Sequence, residues 1–437
     1  MPTSATHRAI DAVWRIESAR LIAGLTRIVR DVGAAEDLAQ DALVAALKQW
    51  PESGVPDNPG AWLMAAAKHR AIDQFRRAAR LGAKYASIAH VLEVDDAGHV
   101  AVMSGDAASA DDVATIDAAL DDDVGDDLLR LVFIACHPVL STDACVALTL
   151  RLIGGLTTDE IARAFLVPEA TVAQRIVRAK RTLVEARVPF EVPRGADRAA
   201  RLSSVLAVVY LIFNEGYSAT AGDDWLRPAL CDEALRLARI LAGLAPDESE
   251  VHGLVALLEI QASRAHARVG PSGEPILLLD QNRARWDQLL IRRGLSALDR
   301  ATALAVAQGG ALGPYALQAA IAACHARART AAATDWSRIA SLYDVLAQVA
   351  PSPVVELNRA VAVGMAFGPA AGLAIVDGLV AEPSLKGYHL LPSVRGDLLS
   401  KLGRFDEART EFERAAGMTR NGRERALLLG RARECVP

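Results

Sequence analysis

The chain has 437 residues, 52% of them apolar, and a formal net charge of −5. That length is too great for one compact core, so two or three domains are expected. The near-neutral total is uninformative about partners, but its distribution is not: residues 62–90 carry +5, 91–127 carry −12 and 128–190 carry +3. Two basic blocks flanking an acidic one suit a protein that meets phosphate through local patches.

Secretion and membrane insertion are disfavoured. Arg8, Asp11, Arg15 and Glu17 interrupt any signal-like apolar start, and the longest apolar run, Val205–Phe213, falls short of a membrane span. Cys136, Cys145, Cys231, Cys324 and Cys435 form no CxxC pair, which fits free thiols in a reducing cytoplasm. Abundant Ala, Leu and Arg with few aromatics predict an all-α protein.

In chain order, residues 8–50 read as helices, with a break at Asp31-Val32-Gly33 and a second helix from about Ala35 to Trp50, stopped by Pro51. Pro51–Pro59 is loop-like. A third helix begins near Pro59, with Asn58 as N-cap, and runs through Trp62 and Phe75 into Arg76-Arg77. Residues 91–127 read as an acidic linker, in which Asp111–Leu120 could fold into a helical turn or two. Helical periodicity resumes over 128–190. From 191 to 437 the chain reads as helices punctuated by Pro and Gly. Leu235–Ile260 and Ile339–Gly364 share a helix, Ala-Pro, helix pattern, and the stretch from Leu402 to Ala416 resembles a tetratricopeptide repeat.

Leu156–Leu183 carries the sharpest local signal, a helix-turn-helix. Thr158 caps a helix over Asp159–Phe165, Leu166-Val167-Pro168 turns, and Glu169 opens a second helix. Val172, Ile176, Ala179 and Leu183 form its apolar stripe, with Ala170, Gln174, Arg178 and Arg181 opposite and Arg175 and Lys180 on the flanks. Such donors can reach base edges and phosphates in a major groove; a solvated amphipathic helix has the same pattern. Asp37, Gln40 and Asp41 share a helix face, an arrangement that solvation alone would explain. Lys68, Arg70, Arg76, Arg77 and Arg80 beside Trp62, His69 and Phe75 suit single-stranded DNA, although the rings could equally be core.

The order of these motifs, AEDLAQDALVAALKQWP, then NPGAWLMAAAKHRAIDQFRR, an acidic linker and the helix-turn-helix, resembles extracytoplasmic-function RNA polymerase sigma factors over about residues 8–187. The resemblance implies a region-two bundle at 1–90, a linker at 91–127 and a region-four bundle at 128–190, with a helical-repeat domain at 191–437. It implies that Asp37, Gln40 and Asp41 dock on core RNA polymerase at its clamp, and that region four meets the flap. The Ser53–Asn58 loop and the Trp62 helix would open and read the minus-ten element through Asn58, Trp62, Lys68, Arg70, Arg76 and Arg77. Thr171, Gln174, Arg175, Arg178, Lys180 and Arg181 would read the minus-thirty-five element. Apolar Ala173 and Val177 stand where many relatives are polar, so no promoter sequence carries over. The stretch VYLIFNEGYSAT at 209–220 points to a subgroup whose repeat domain controls the sigma half by an intramolecular contact or a protein partner.

The expected function is promoter-directed transcription initiation, without catalytic residues, metal or cofactor. GxxxxGK[ST], HExxH and GxSxG motifs are absent from the chain. Cys136-His137 reads as packed interior, and Asn214, Glu215 and Tyr217 as a polar contact at a domain interface. The rival reading is a helix-turn-helix regulator with a repeat sensor that acts without polymerase. It leaves the Asp37 and Trp62 helices without a task.

Overall fold

The computed structural model describes residues 3–72, 124–165, 167–219, 221–222, 225–271 and 273–435. Arg76, Arg77, Arg80, Phe75, Leu166 and the linker over 91–123, including Asp111–Leu120, lie outside them. The fold is helical, as the composition predicts, and divides into two compact units. The first runs from the N-terminus to Val205, less the three residues 164–166, and the second begins at Leu206.

In the first unit α1 (Thr3–Val29) packs along α2 (Val32–Ser53) and α4 (Val124–Ala135), with α3 over 59–72 between them in sequence. Arg30 turns the chain at φ 53°, and Asp31 caps α2 by accepting the Ala34 N–H at 2.8 Å. The break therefore falls where the sequence places it, but α2 starts three residues earlier and does not stop at Pro51. Pro51 sits in the last turn, where only two more helical residues follow before Gly54 ends the helix at φ 85°. Asn58 caps α3, accepting from the Ala61 N–H at 3.1 Å. Helix α4 starts at Val124, inside the stretch expected to be linker. It is followed by α5 (Thr142–Leu152), α6 (Thr158–Phe165) and α7 (Glu169–Glu185). Trp50, Leu25, Leu38, Leu63, Phe133 and Leu148 form the buried core of this unit.

Helix α8 (Gly195–Tyr217) contains the division between the units, which falls after Val205. The cause is visible at Arg201: its Nη2 donates to the Phe133 carbonyl at 3.0 Å and its guanidinium lies 5.7 Å from the Phe133 ring centroid, fastening the first turns of α8 to α4. The segment Asp197–Tyr217 is long and apolar enough to cross a membrane by length and composition. Its Leu206, Val209, Ile212 and Phe213 are nevertheless buried in the protein, as in the core helix of a globular fold.

The second unit stacks helices on their chain neighbours: α9 (Pro228–Leu244), α10 (Ser249–Ala262), α11 (Gln288–Ala307), α12 (Pro314–Arg327), α13 (Trp336–Val349), α14 (Pro353–Phe367), α15 (Pro369–Leu379), α16 (Leu390–Lys401), α17 (Phe405–Met418) and α18 (Gly422–Glu434). The two Ala-Pro copies are geometrically alike. Ala245 (φ −133°, ψ 62°) and Ala350 (φ −137°, ψ 69°) end α9 and α13 in the same way. Small residues set the closest approach: a Cβ on Gly372 would lie 2.6 Å from the Ala360 carbonyl oxygen and 2.9 Å from Gly364 Cα. A two-residue parallel pair, Ala221–Gly222 with Arg420–Asn421, joins the beginning of the unit to its end. Buried Asn421 completes the joint, donating from Nδ2 to the Ala219 carbonyl at 3.1 Å and accepting the Arg423 and Glu424 N–H groups that open α18.

Candidate polymerase and promoter interfaces

Helix α7 is amphipathic in the register the sequence predicts. Val172, Ile176, Ala179 and Leu183 are buried, while Gln174, Arg178 and Arg181 are exposed together with Ala173 and Val177. The helix before it is fixed by a capping box, with one correction: the cap is Thr157, not Thr158. Thr157 Oγ1 accepts the Glu160 N–H at 3.2 Å, and Glu160 Oε2 accepts the Thr157 N–H at 2.8 Å. A threonine one residue earlier pairs with the glutamate three positions on, a spacing Thr158 lacks.

The basic side chains of α7 differ in their freedom. Arg175 is half-buried and pairs with Asp143 of α5 at 2.9 Å, and Arg181 pairs with Glu185 at 2.6 Å on the open surface. Thr171 is half-buried. Lys180, expected as a free phosphate-binding cation, instead reaches back to Glu36 of α2 at 2.5 Å.

On α2, Asp37 and Asp41 are exposed, and Asp41 lies 3.9 Å from Arg70 of α3. Gln40 is half-buried and spends its amide on Glu36, donating from Nε2 to Oε1 at 2.6 Å. The three residues therefore share a face, but only the carboxylates stand clear of it. On α3, Trp62 is half-buried against Trp50, edge to face at 5.3 Å between ring centroids. Asn58 is exposed with its side-chain oxygen engaged in capping, and Lys68 and Arg70 are half-buried.

Glu36 is the residue that sequence reading passed over. It is 3% exposed, and its Oε1 also accepts from Arg151 Nε of α5 at 2.7 Å. Burial alone would raise its pKa, but the Lys180 and Arg151 cations hold it below the usual glutamate range. Two further ion pairs tie α1 to later helices: Arg15 with Glu160 of α6 at 2.8 Å, and Arg27 with buried Asp127 of α4 at 3.1 Å. A cavity of about 580 Å³ lies against Arg27 and Lys180, lined also by Arg30, Val32, Ile134 and Arg187.

Elsewhere the chemistry is structural. Burial pushes the Cys136 thiol up to about 12, and its Sγ lies 3.3 Å from Thr149 Oγ1. Glu215 pairs with Arg227 at 2.5 Å. Tyr217 stacks on Phe213 and lies under the buried Arg268 guanidinium, 3.5 Å from the ring centroid.

Comparison with known proteins gives this geometry its context. Residues 16–81 match the sigma-70 region 2 family and residues 130–183 the sigma-70 region 4 family, while residues 201–302 match a family of unknown function (DUF6596). The chain is 43% identical over 404 residues to the uncharacterized protein R00370 of Rhizobium meliloti (strain 1021), covering 92% of this chain and 90% of that protein. It is 29% identical over 192 residues to the probable ECF RNA polymerase sigma factor SigI of Mycobacterium tuberculosis, in strains CDC 1551 / Oshkosh and ATCC 25618 / H37Rv. Those matches cover 44% of this chain and 60% of each relative. No solved structure matches the chain. With region two and region four matched in order, and the region-four residues folded as a helix-turn-helix, the chain belongs to the extracytoplasmic-function-type sigma factors of the sigma-70 family and bears a C-terminal extension.

Proposed function

We propose that this sigma factor docks on core RNA polymerase through the exposed face of α2, reads promoter DNA through α7 and α3, and is regulated by its C-terminal helical unit. The observation that carries the docking assignment is a strip on α2. Asp37, Asp41, Val44 and Lys48 follow one another at helical spacing and are all exposed, Val44 at 44%, with Leu47 (37%) and Gln40 along its border. An acidic strip edged with uncovered apolar side chains, on a helix whose other faces are core, has the character of a partner surface. On α7, exposed Gln174 and Arg178 supply base-reading groups and Thr171, Arg175, Lys180 and Arg181 surround them; on α3, Asn58, Trp62, Lys68 and Arg70 take the minus-ten role, continued by Arg76 and Arg77.

Replacing Asp37 and Asp41 with Lys should abolish core binding while circular dichroism shows unchanged helicity, since opposed like charges cost roughly several kcal/mol at an interface. Unchanged affinity for core polymerase would overturn the docking face. Regulation is supported by scale and architecture: the second unit is more than half the chain, and helical-repeat arrays present surfaces for other proteins. A chain ending at Val205 keeps Arg201 on Phe133 and should retain the first unit while losing most run-off transcription. Equal activity and equal core affinity for the full and shortened chains would leave the second unit without a regulatory role.

A further inference from the structure

We infer that the first unit is held in a closed form by Glu36, whose carboxylate occupies on Lys180 the place of a DNA phosphate. The inference rests on the reading of α7 as the DNA-facing helix. Glu36 stands one position before Asp37 on the docking helix, yet it points inward and is 3% exposed. It gathers Lys180 from the flank of α7 (2.5 Å), Arg151 from α5 (2.7 Å) and Gln40 from its own helix (2.6 Å). A lysine flanking a recognition helix has one preferred ligand in a promoter complex, a backbone phosphate oxygen. In the closed form that ligand is a carboxylate oxygen of the chain itself.

The contact between α2 and α7, an ion pair without helix-on-helix packing, suits one that is made and released. Glu36 with Lys180 and Arg151, Arg15 with Glu160, and Arg27 with Asp127 bridge helices of region two to later helices, and a cavity of about 580 Å³ lies against Arg27 and Lys180. Close-packed apolar interfaces resist division because every dispersion contact is lost together. An ion pair exchanges its partners instead: Glu36 gains water, and Lys180 gains phosphate. A buried pair also specifies arrangement more than it stabilises it, because leaving one partner unmatched is costly whereas replacing both is not. Removing the Glu36 charge leaves Lys180 and Arg151 facing each other without an anion, which favours separation. Promoter DNA and the closed form then compete for one ammonium group, and any influence that separates the two regions raises the fraction able to bind DNA.

The test uses the full chain with Cys324→Ser, spin-labelled at Glu52→Cys and Ala186→Cys, and a fluorescent duplex in the absence of polymerase. Glu36→Gln should lengthen and broaden the distance between the labels. It should also tighten duplex binding about tenfold, as when a competent fraction near one tenth rises towards one. Arg15→Glu, at an exposed end of the same seam, should lengthen the distance without touching the core and serves if Glu36→Gln lowers helicity. An unchanged label distance in both variants overturns the closed form. Opening without tighter duplex binding overturns the phosphate mimicry. Gln174→Ala, added to Glu36→Gln, separates the two readings: if it weakens duplex binding while Glu36→Gln alone gains nothing, α7 reads DNA and the Glu36 inference is wrong. If Gln174→Ala has no effect, the DNA-facing assignment of α7 is what fails.

Discussion

Gln174 and Arg178 offer the most direct test of the proposed reading of DNA by α7. Both are exposed on the face opposite Val172 and Ile176, so truncating either to Ala removes a donor without disturbing the buried stripe. A good side-chain contact to a base edge is worth about 1–3 kcal/mol of discrimination, which corresponds to roughly 5- to 150-fold in promoter preference. Arg175 contrasts with them. Its guanidinium is already held by Asp143 at 2.9 Å, so an Arg175→Ala variant exchanges one partner for none at a partly exposed pair worth about 0–1 kcal/mol. Lys180→Ala should remove one phosphate contact, lowering the slope of log affinity against log salt by about 0.9 while leaving sequence preference intact. The assay is run-off transcription by reconstituted holoenzyme across a promoter library at several salt concentrations. If Gln174→Ala and Lys180→Ala produce the same pattern across the library, the groove orientation of α7 is wrong.

Three further outcomes follow from the second unit. Gly372→Ala should lower stability by about 1–2 kcal/mol, because parting α14 from α15 costs more than the helix propensity gained; a higher urea midpoint would refute the close approach. Burial, reinforced by the Arg264 and Arg283 cations, pushes His325 down to about 4. The unfolded chain therefore binds the extra proton first as pH falls below about 6.5, and about 3 kcal/mol of stability should disappear between there and pH 4. Thermal melts of His325→Gln should be flatter over that window, and an identical pH profile would exclude the buried neutral imidazole. Asn421→Ala, which loses the cap of α18 and the bond to Ala219, should cost about 1–3 kcal/mol by urea denaturation.

What could be read from the sequence was whatever repeats at short range. The stripe from Val172 to Leu183, the Asn58 cap and the paired Ala-Pro copies are local patterns, and they lie where periodicity and capping chemistry put them. Pro51 and Thr158 show the limit of local rules, since a helix absorbs a proline in its final turn and a capping box chooses the threonine with a glutamate at the right spacing. The seam was invisible for a different reason. Glu36 and Arg151 are 115 residues apart and Arg15 and Glu160 are 145 apart, and no spacing rule relates one charge to another over such separations. Lys180 is therefore read by its place on α7 alone, and Glu36 is passed over. The boundary at Val205 was hidden similarly, because α8 continues through it without a break in helical pattern.

The parallel pair between Ala221–Gly222 and Arg420–Asn421 changes how the helical array comes apart. An open stack of repeats has a first and a last member, each with a single neighbour, and melting begins by fraying from either end. Joining the ends removes both starting points. The first helices then gain a neighbour some 200 residues away in sequence, at the cost of the loop entropy of closing that span, which grows only slowly with its length. Successive trimming from the C-terminus should therefore give a single loss of cooperativity at Asn421 instead of a graded series.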